Sequence, residues 1–273
     1  MLEDLSLQGF VMKGSKILDY PHVSLALRCL GELHAYSFVI RAANPEMFEK
    51  FQRMQEPLVD ENFYNNNAFR SKELAKVVIK ALADEDEHYV KRVQQFADNV
   101  KDNMCSAVDG TLAEPYAVVN HGDAWTNNIL FKYDKDGKTP RDLRFLDFQL
   151  CRYASPVLDL VYILFCCCTQ ETRSKYYDQL IHEYYETLSK YLRKCGYDPD
   201  ILFPYEALSQ QFIKFGKFAA GMALYVLHLF SIEDADIGIM NDNTVLFERL
   251  QTDSFYRSMV KGTFKDLVDR NYL

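Results

Sequence analysis

A polar segment in the middle of the chain lies between two short apolar runs. It reads VVNHGDAWTNNILF and covers residues 118–131. Two valines precede the polar residues and an Ile-Leu-Phe run follows them, so both flanks have the β-branched or aromatic composition of strands. One His, one Asp and several Asn are therefore expected in a loop between two strands. We call residues 120–128 the polar loop.

The region around the polar loop is the only part of the sequence with a strand-like pattern. Between Glu114 and Gln149 there are three short apolar runs, and the turn-forming sequence DKDG separates the second from the third. Elsewhere apolar residues recur at steps of three and four, which is typical of helices. The sequence therefore predicts a mostly helical α+β protein, and no linker or repeat divides residues 1–273. We predict an Asn-rich break at 61–67 and helices at about 21–43, 71–104, 157–168, 174–194, 205–231 and 245–270.

Composition narrows the classes of partner. The net charge is -8 and no dense Lys/Arg cluster occurs, which argues against nucleic acid and anionic membrane surfaces as partners. The longest apolar stretch, residues 218–232, is shorter than a membrane span and is predicted to be a buried helix. The first residues lack the basic and apolar parts of a signal peptide. Seven cysteines without a C-x-x-C pair indicate a reducing, cytoplasmic compartment.

The polar loop has the residue types and the spacing that phosphoryl transfer from ATP requires. His121 to Asn128 matches the pattern H-x-D-x-x-x-x-N of the kinase catalytic loop. In that chemistry one carboxylate orients the attacking hydroxyl and takes its proton, whereas an amide oxygen and a second carboxylate hold Mg²⁺. These roles predict Asp123 as the base and Asn128 and Asp147 as the metal ligands. Asp147 lies in the run FLDFQ, at the end of an apolar strand.

These residues give the chain a specific resemblance. His-Gly-Asp, an Asn five residues after the Asp, and a later Asp-Phe are similar to the aminoglycoside phosphotransferase and choline kinase group. The sequences HGDAWTNNILF and LDFQ, with LEDL near the start and LHAYS in the first helix, more closely resemble the CHK-kinase-like, or ecdysteroid kinase-like, family. The resemblance implies a protein-kinase-like fold with ATP and Mg²⁺ as cofactors and a small-molecule alcohol, such as an ecdysteroid, as acceptor.

The resemblance also assigns further residues. It implies that His121 is a structural member of the loop and that Asp159 steadies the loop from the following helix. It places the catalytic and metal loops at residues 117–150 and the adenine-binding hinge near residues 2–6, where Glu3 and Leu5 would contact the nucleotide. The family has an N-terminal lobe before the hinge, with a glycine-rich turn and a phosphate-binding Lys, and neither is found in this sequence. The chain is therefore expected to represent a C-terminal lobe with its hinge, truncated and of low activity.

Other readings of the same residues stay open. The polar loop alone could be an Asn/Asp-rich turn between strands. The chain could also be a pseudokinase or interaction module, or a metal-dependent phosphohydrolase, although the latter would need more carboxylate or His ligands. We interpret His34 as a core histidine with satisfied hydrogen bonds, and the three successive cysteines at 166–168 as buried apolar residues. The sequence fixes neither the acceptor nor the oligomeric state.

Overall fold

A computed structural model of the chain describes residues 4–59, 61–232 and 242–273, with the backbone alone at residues 59 and 61–69. The described part is mostly α-helical, with two small antiparallel sheets, which confirms the α+β prediction. The helices are α1 Tyr20–Ala43, α2 Pro45–Gln52, α3 Glu61–Ala81, α4 Glu87–Asp98, α5 Val100–Val108, α6 Gly110–Ala113, α7 Val157–Cys166, α8 Gln170–Lys194, α9 Pro199–Leu202, α10 Tyr205–Phe215, α11 Phe218–Phe230, α12 Asn243–Thr252 and α13 Ser254–Asp269.

The sheets frame the polar loop on both sides. The strands are β1 Phe10–Met12, β2 Val118–Asn120, β3 Ile129–Tyr133, β4 Pro140–Phe145 and β5 Arg152–Ala154. One sheet has the order β1-β3-β4 and the other pairs β2 with β5. Since β2 ends where the polar loop begins and β3 begins where it ends, each end of the loop is fixed by a different sheet. Short 3₁₀ turns lie at Leu5–Gln8, Pro57–Val59, Thr126–Asn128 and Phe148–Leu150.

The core is centred on α1, α7, α8 and α11. Every residue of α7 is buried, and α1 packs along α8. The two helices approach closely at Gly31, where a Cβ atom would lie 2.7 Å from the carbonyl oxygen of Tyr184. Among the described helices α1 has the length and apolar composition of a membrane span, and 61% of the tested window is buried in the protein, as in a core helix. The apolar run predicted to be a buried helix forms α11, whose residues are mostly buried.

Several predicted helix boundaries were wrong, each for a local reason. The Asn-rich segment 61–67 is helical, because the small helix propensity cost of Asn is outweighed by the packing of α3 against α4, α12 and α13. The predicted helix at 71–104 is divided among α3, α4 and α5. The one at 205–231 breaks after Phe215, where the side chain of Tyr272 leaves no room for a Cβ atom at Gly216.

The last predicted helix, 245–270, is also two helices. Asp253 separates them and caps α13 by accepting a hydrogen bond from the backbone N–H of Tyr256 at 2.7 Å. The prediction missed α2, which begins at Pro45. There Asn44 ends α1 and caps α2 through the N–H of Met47.

Candidate active site

The polar loop turns sharply at Gly122. This residue has a φ of +84°, and a Cβ atom there would overlap the carbonyl oxygen of Leu150. Both conditions favour glycine over every other residue. The residue between His121 and Asp123 therefore lets the backbone pass close to Leu150, in the segment after Asp147.

Asp123 follows this turn and has a hydrogen-bond donor on each carboxylate oxygen. The amide nitrogen of Asn128 donates to Oδ2 at 2.8 Å and to the backbone carbonyl of Asp123 at 2.9 Å. The hydroxyl of Tyr162, a buried residue of α7, donates to Oδ1 at 3.1 Å. The orientation of the carboxylate is thus fixed by two different elements.

The pKa of the Asp123 carboxyl is raised above its ordinary value. The largest cause is burial, which disfavours the charged form; the hydrogen bonds from Tyr162 and Asn128 lower the pKa, and the negative charge of Asp147 raises it. Asp123 and Asp147 are therefore close enough to interact electrostatically. A carboxylate with a raised pKa is a better proton acceptor than an exposed one.

Asp147 lies at the end of β4 in the left-handed region, with φ 60° and ψ 72°. Its neighbour Leu146 is held on both sides, because its N–H donates to the carbonyl of Asn128 at 2.8 Å and its carbonyl accepts from Nε2 of His121 at 2.9 Å. These bonds attach the Asp147 turn directly to the polar loop. A positive φ is uncommon for a non-glycine residue, although Asp adopts it more readily than most, and such residues cluster at active sites. The side chain of Asp147 is exposed.

The polar loop is supported from the protein interior by Asp159. This fully buried carboxylate accepts from the N–H groups of His121 at 2.7 Å and Gly122 at 2.9 Å. It also contacts Nε2 of His34 at 3.2 Å, and the other ring nitrogen of His34 contacts the hydroxyl of Tyr184 at 2.9 Å. Burial acts to raise the pKa of Asp159, but the hydrogen bonds from His34 and from the loop outweigh it, so the pKa is lowered.

His121 is a buried member of the loop. The Asp123 N–H donates to Nδ1 at 3.2 Å, so the proton that bonds to the Leu146 carbonyl is on Nε2. The ring lies against Phe148, with centroids 4.4 Å apart. Its contacts join the loop to the Asp147 turn.

The structure thus brings together Asp123, Asn128 and Asp147, with His121 and Asp159 behind them. Leu5 lies in the turn after Asp4 and lines an open cavity of about 420 Å³. The apolar lining includes Phe10, Leu130 and Leu146, and Leu146 directly precedes Asp147 in the chain. Glu3 lies outside the described residues.

Comparison with known protein families agrees with this geometry. The model of the ecdysteroid kinase-like family matches residues 1–197. The chain belongs to the ecdysteroid kinase-like family. The match contains the polar loop, Asp147 and Asp159, whereas α9 to α13 lie beyond it. No curated protein gives a significant match.

The oxygen atoms at this ecdysteroid kinase-like site fit a magnesium ion. Both bonds of the Asn128 side chain are donated by Nδ2, and Oδ1 accepts none from the described residues. Together with the exposed carboxylate of Asp147, this atom gives a small set of hard oxygen ligands, which suits Mg²⁺ because that ion keeps several waters and binds substrate phosphates. Among the described residues there is no group of three or more His, Cys, Asp and Glu side chains that could hold a metal.

The sequence of this ecdysteroid kinase-like chain was not interpreted to place Tyr162 in the site, although Tyr162 donates to Asp123. Its signal was available, because Tyr162 lies three residues after Asp159 on a helix and therefore shares a face with it. The sequence analysis also did not identify β1, because a strand of three residues is too short to show the alternation of apolar and polar residues. The pairing of β1 with β3 brings Phe10 and Met12 to the cavity beside the polar loop.

Proposed function

We propose that this chain transfers the γ-phosphoryl group of ATP to a hydroxyl group of a small-molecule alcohol. The observation that carries the proposal is the fixed carboxylate of Asp123, held by Asn128 and Tyr162 and facing the charge of Asp147. Family membership supports kinase-like chemistry on a small molecule. The acceptor class that we propose is an ecdysteroid or a related alcohol.

Asp123 would act as the general base. Each of its oxygens has a second lone pair in addition to the one used by Asn128 or Tyr162, so the carboxylate can also accept from the acceptor hydroxyl. As the hydroxyl oxygen bonds to the γ-phosphorus, its proton passes to Asp123 and the bond to the ADP oxygen breaks. The raised pKa favours that proton transfer at neutral pH.

Asn128 and Asp147 would hold the metal ion with Mg·ATP. When bound, Mg²⁺ neutralises charge on the phosphates. The cavity that Leu5 lines is the proposed position of the adenine, since its apolar residues Phe10, Leu130 and Leu146 lead to the Asp147 turn.

We also place the protein in the cytoplasm; all seven cysteines are unpaired, in agreement with a reducing compartment.

The test is phosphate transfer by the full chain, measured by mass spectrometry with ATP, Mg²⁺ and ecdysone. We expect Asp123→Asn to lower kcat by about 10²–10⁴-fold with little change in nucleotide affinity, because general base catalysis contributes a factor of this size. Asp147→Asn should instead weaken binding of Mg·ATP. Asp178→Asn, on the exposed face of α8, is the matched control and should change neither quantity.

The outcomes separate the proposal from its main alternative. Binding of Mg·ATP without transfer to ecdysone or to other sterol-like alcohols would support a pseudokinase. Transfer that persists in Asp123→Asn would show that the role of this residue is wrong.

A further inference from the structure

A second cavity lies between two junctions of consecutive helices. Its volume is about 280 Å³, and it separates the junction of α4 with α5 at Asn99 from the junction of α10 with α11 at Lys217. None of its lining residues belongs to the polar loop or to the cavity that Leu5 lines. We call it the helix-junction cavity. Its charged and carboxamide side chains are those of Arg92, Gln95, Asn99, Asn103 and Lys217.

The ammonium of Lys217 is partly buried and has no anionic partner among the described residues. Its Nζ donates to the hydroxyl of Ser106 at 2.8 Å, and this acceptor is neutral. Burial lowers the pKa of Lys217, and no carboxylate acts to raise it. Since a charge removed from water is unfavourable unless it is paired, an anion at this position would stabilise the folded chain.

A second cation lines the same cavity. The guanidinium of Arg92 donates to the carbonyl of Leu273 and forms no other hydrogen bond with the described residues. A guanidinium has five N–H donors, so several remain available. No Asp or Glu side chain in the described part of the chain lines the cavity, although the whole chain has a net charge of -8. The helix-junction cavity therefore concentrates positive charge on an acidic protein.

Two asparagines add uncharged donors to the cations. Nδ2 of Asn99 donates to the carbonyl of Gln95 at 3.0 Å, and Nδ2 of Asn103 donates to the carbonyl of Phe96 at 3.3 Å. A carboxamide has two N–H groups, so each asparagine retains one for another acceptor. The donors of the cavity thus come from α4, from α5 and from the residue before α11. They outnumber the two oxygens that a carboxylate could offer.

We propose that the helix-junction cavity binds the phosphoryl group of free phosphate or of a small phosphate monoester. A phosphoryl group presents at least three acceptor oxygens, which match the donors of two cations and two carboxamides. Lys binds phosphate as a point charge, and Arg binds it through parallel N–H groups. A metal cation is disfavoured, because both charged side chains of the cavity are positive. Binding here does not depend on phosphoryl transfer, since no residue of the polar loop takes part.

Isothermal titration calorimetry of the full chain, in Mg²⁺-free buffer at constant ionic strength, tests this proposal. The probes are inorganic phosphate, glycerol 3-phosphate and acetate. We expect saturable binding of a phosphate probe and none of acetate, and the lower Kd distinguishes free phosphate from the monoester. Lys217→Met should raise that Kd by about 10–100-fold, the effect of losing one hydrogen bond to a charged group.

Lys214→Met is the matched control. Lys214 lies three residues earlier, and its Nζ donates to the carbonyl of Leu112 at 2.6 Å, outside the cavity. Its Kd should equal that of the unaltered chain. Should Lys217→Met fail to fold, Arg92→Met tests the same cavity and should also raise the Kd.

Three results would overturn the proposal. They are the absence of saturable phosphate binding, acetate binding as tight as that of phosphate, and an equal rise in Kd in Lys214→Met. Asp147→Asn separates this cavity from the proposed active site, because it should weaken binding of Mg·ATP and leave the phosphate Kd unchanged. If Asp147→Asn abolished phosphate binding and Lys217→Met did not, the ligand would lie at the polar loop and the proposal would be wrong.

Discussion

The Asp123 carboxylate depends on two donors that come from separate parts of the chain. Asn128 belongs to the same loop, and its position five residues later could be read from the sequence. Tyr162 belongs to α7, and its contact depends on how that helix is rotated against the loop. No single sequence pattern encodes that rotation, which is why the sequence identified Asn128 as a site residue, in the role of a metal ligand, and did not identify Tyr162.

Replacing Tyr162 by Phe removes the hydrogen bond that lowers the pKa of Asp123. The base must be ionised, so activity is lost as the pH falls through that pKa, which already lies above its ordinary value. The pKa should be higher still in Tyr162→Phe. The acid limb of kcat/KM, measured with ATP and ecdysone, should therefore move to higher pH, because the ionised carboxylate has lost a hydrogen-bond donor.

A purely structural role of Tyr162 would lower the yield of folded protein and leave the acid limb where it is. Tyr176→Phe, at a partly buried position of α8 that has no contact with Asp123, serves as the control and should keep the profile of the unaltered chain.

At the scale of elements, Arg173 joins α7, α8 and α13. It lies in the first turn of α8 and is buried. Its guanidinium donates to Asp266 of α13 at 2.6 Å and to the carbonyls of Leu164 at 3.2 Å and Cys168 at 2.8 Å, at the end of α7. One side chain thus satisfies two helix-terminal carbonyls and a carboxylate.

Arg173→Met should lower the free energy of unfolding by about 3–5 kcal/mol, because it removes the buried cation that pairs with Asp266 and the side-chain donor of the Cys168 carbonyl. Urea denaturation followed by circular dichroism measures this change. Arg193→Met, at the exposed end of α8, should change the free energy of unfolding by less than about 0.5 kcal/mol. Equal shifts in the two variants would contradict the role of Arg173.

The elements themselves were predicted unevenly. Long helices such as α1 and α8 were found, because an apolar face that repeats over six or seven turns is a strong signal. The three-residue strands β1 and β5 were not. Each is defined by a partner distant along the chain, β3 and β2 respectively, and pairing of this kind leaves little trace in local composition.

For the whole molecule, the sequence correctly predicted the α+β class and the family, because both depend on the loop residues and on overall periodicity. The layout of the helices around the loop could not be predicted in this way. It depends on buried polar contacts, above all those of Asp159, whose partners lie on α1 and in the polar loop.

Asp159 links folding stability to pH. Its pKa is lowered in the folded chain, so its contribution is present above about pH 3.8 and is lost as the pH falls through the lowered value. Asp159→Asn should be less stable at pH 7 by about 2–4 kcal/mol, because two N–H groups lose a charged acceptor. Urea unfolding from pH 7 to pH 3 should show the difference shrinking below pH 4.

If the difference in free energy of unfolding between the unaltered chain and Asp159→Asn stayed constant from pH 7 to pH 3, the role of the ionised Asp159 carboxylate would be wrong. Asp178→Asn should follow the unaltered chain throughout.

The contacts behind the polar loop also connect distant parts of the protein. Tyr184, His34 and Asp159 are all fully buried, and three successive hydrogen bonds lead from the phenol of Tyr184 to the backbone of Gly122. Repacking between α1 and α8 would therefore alter turnover as well as folding, even though neither helix contains Asp123, Asn128 or Asp147.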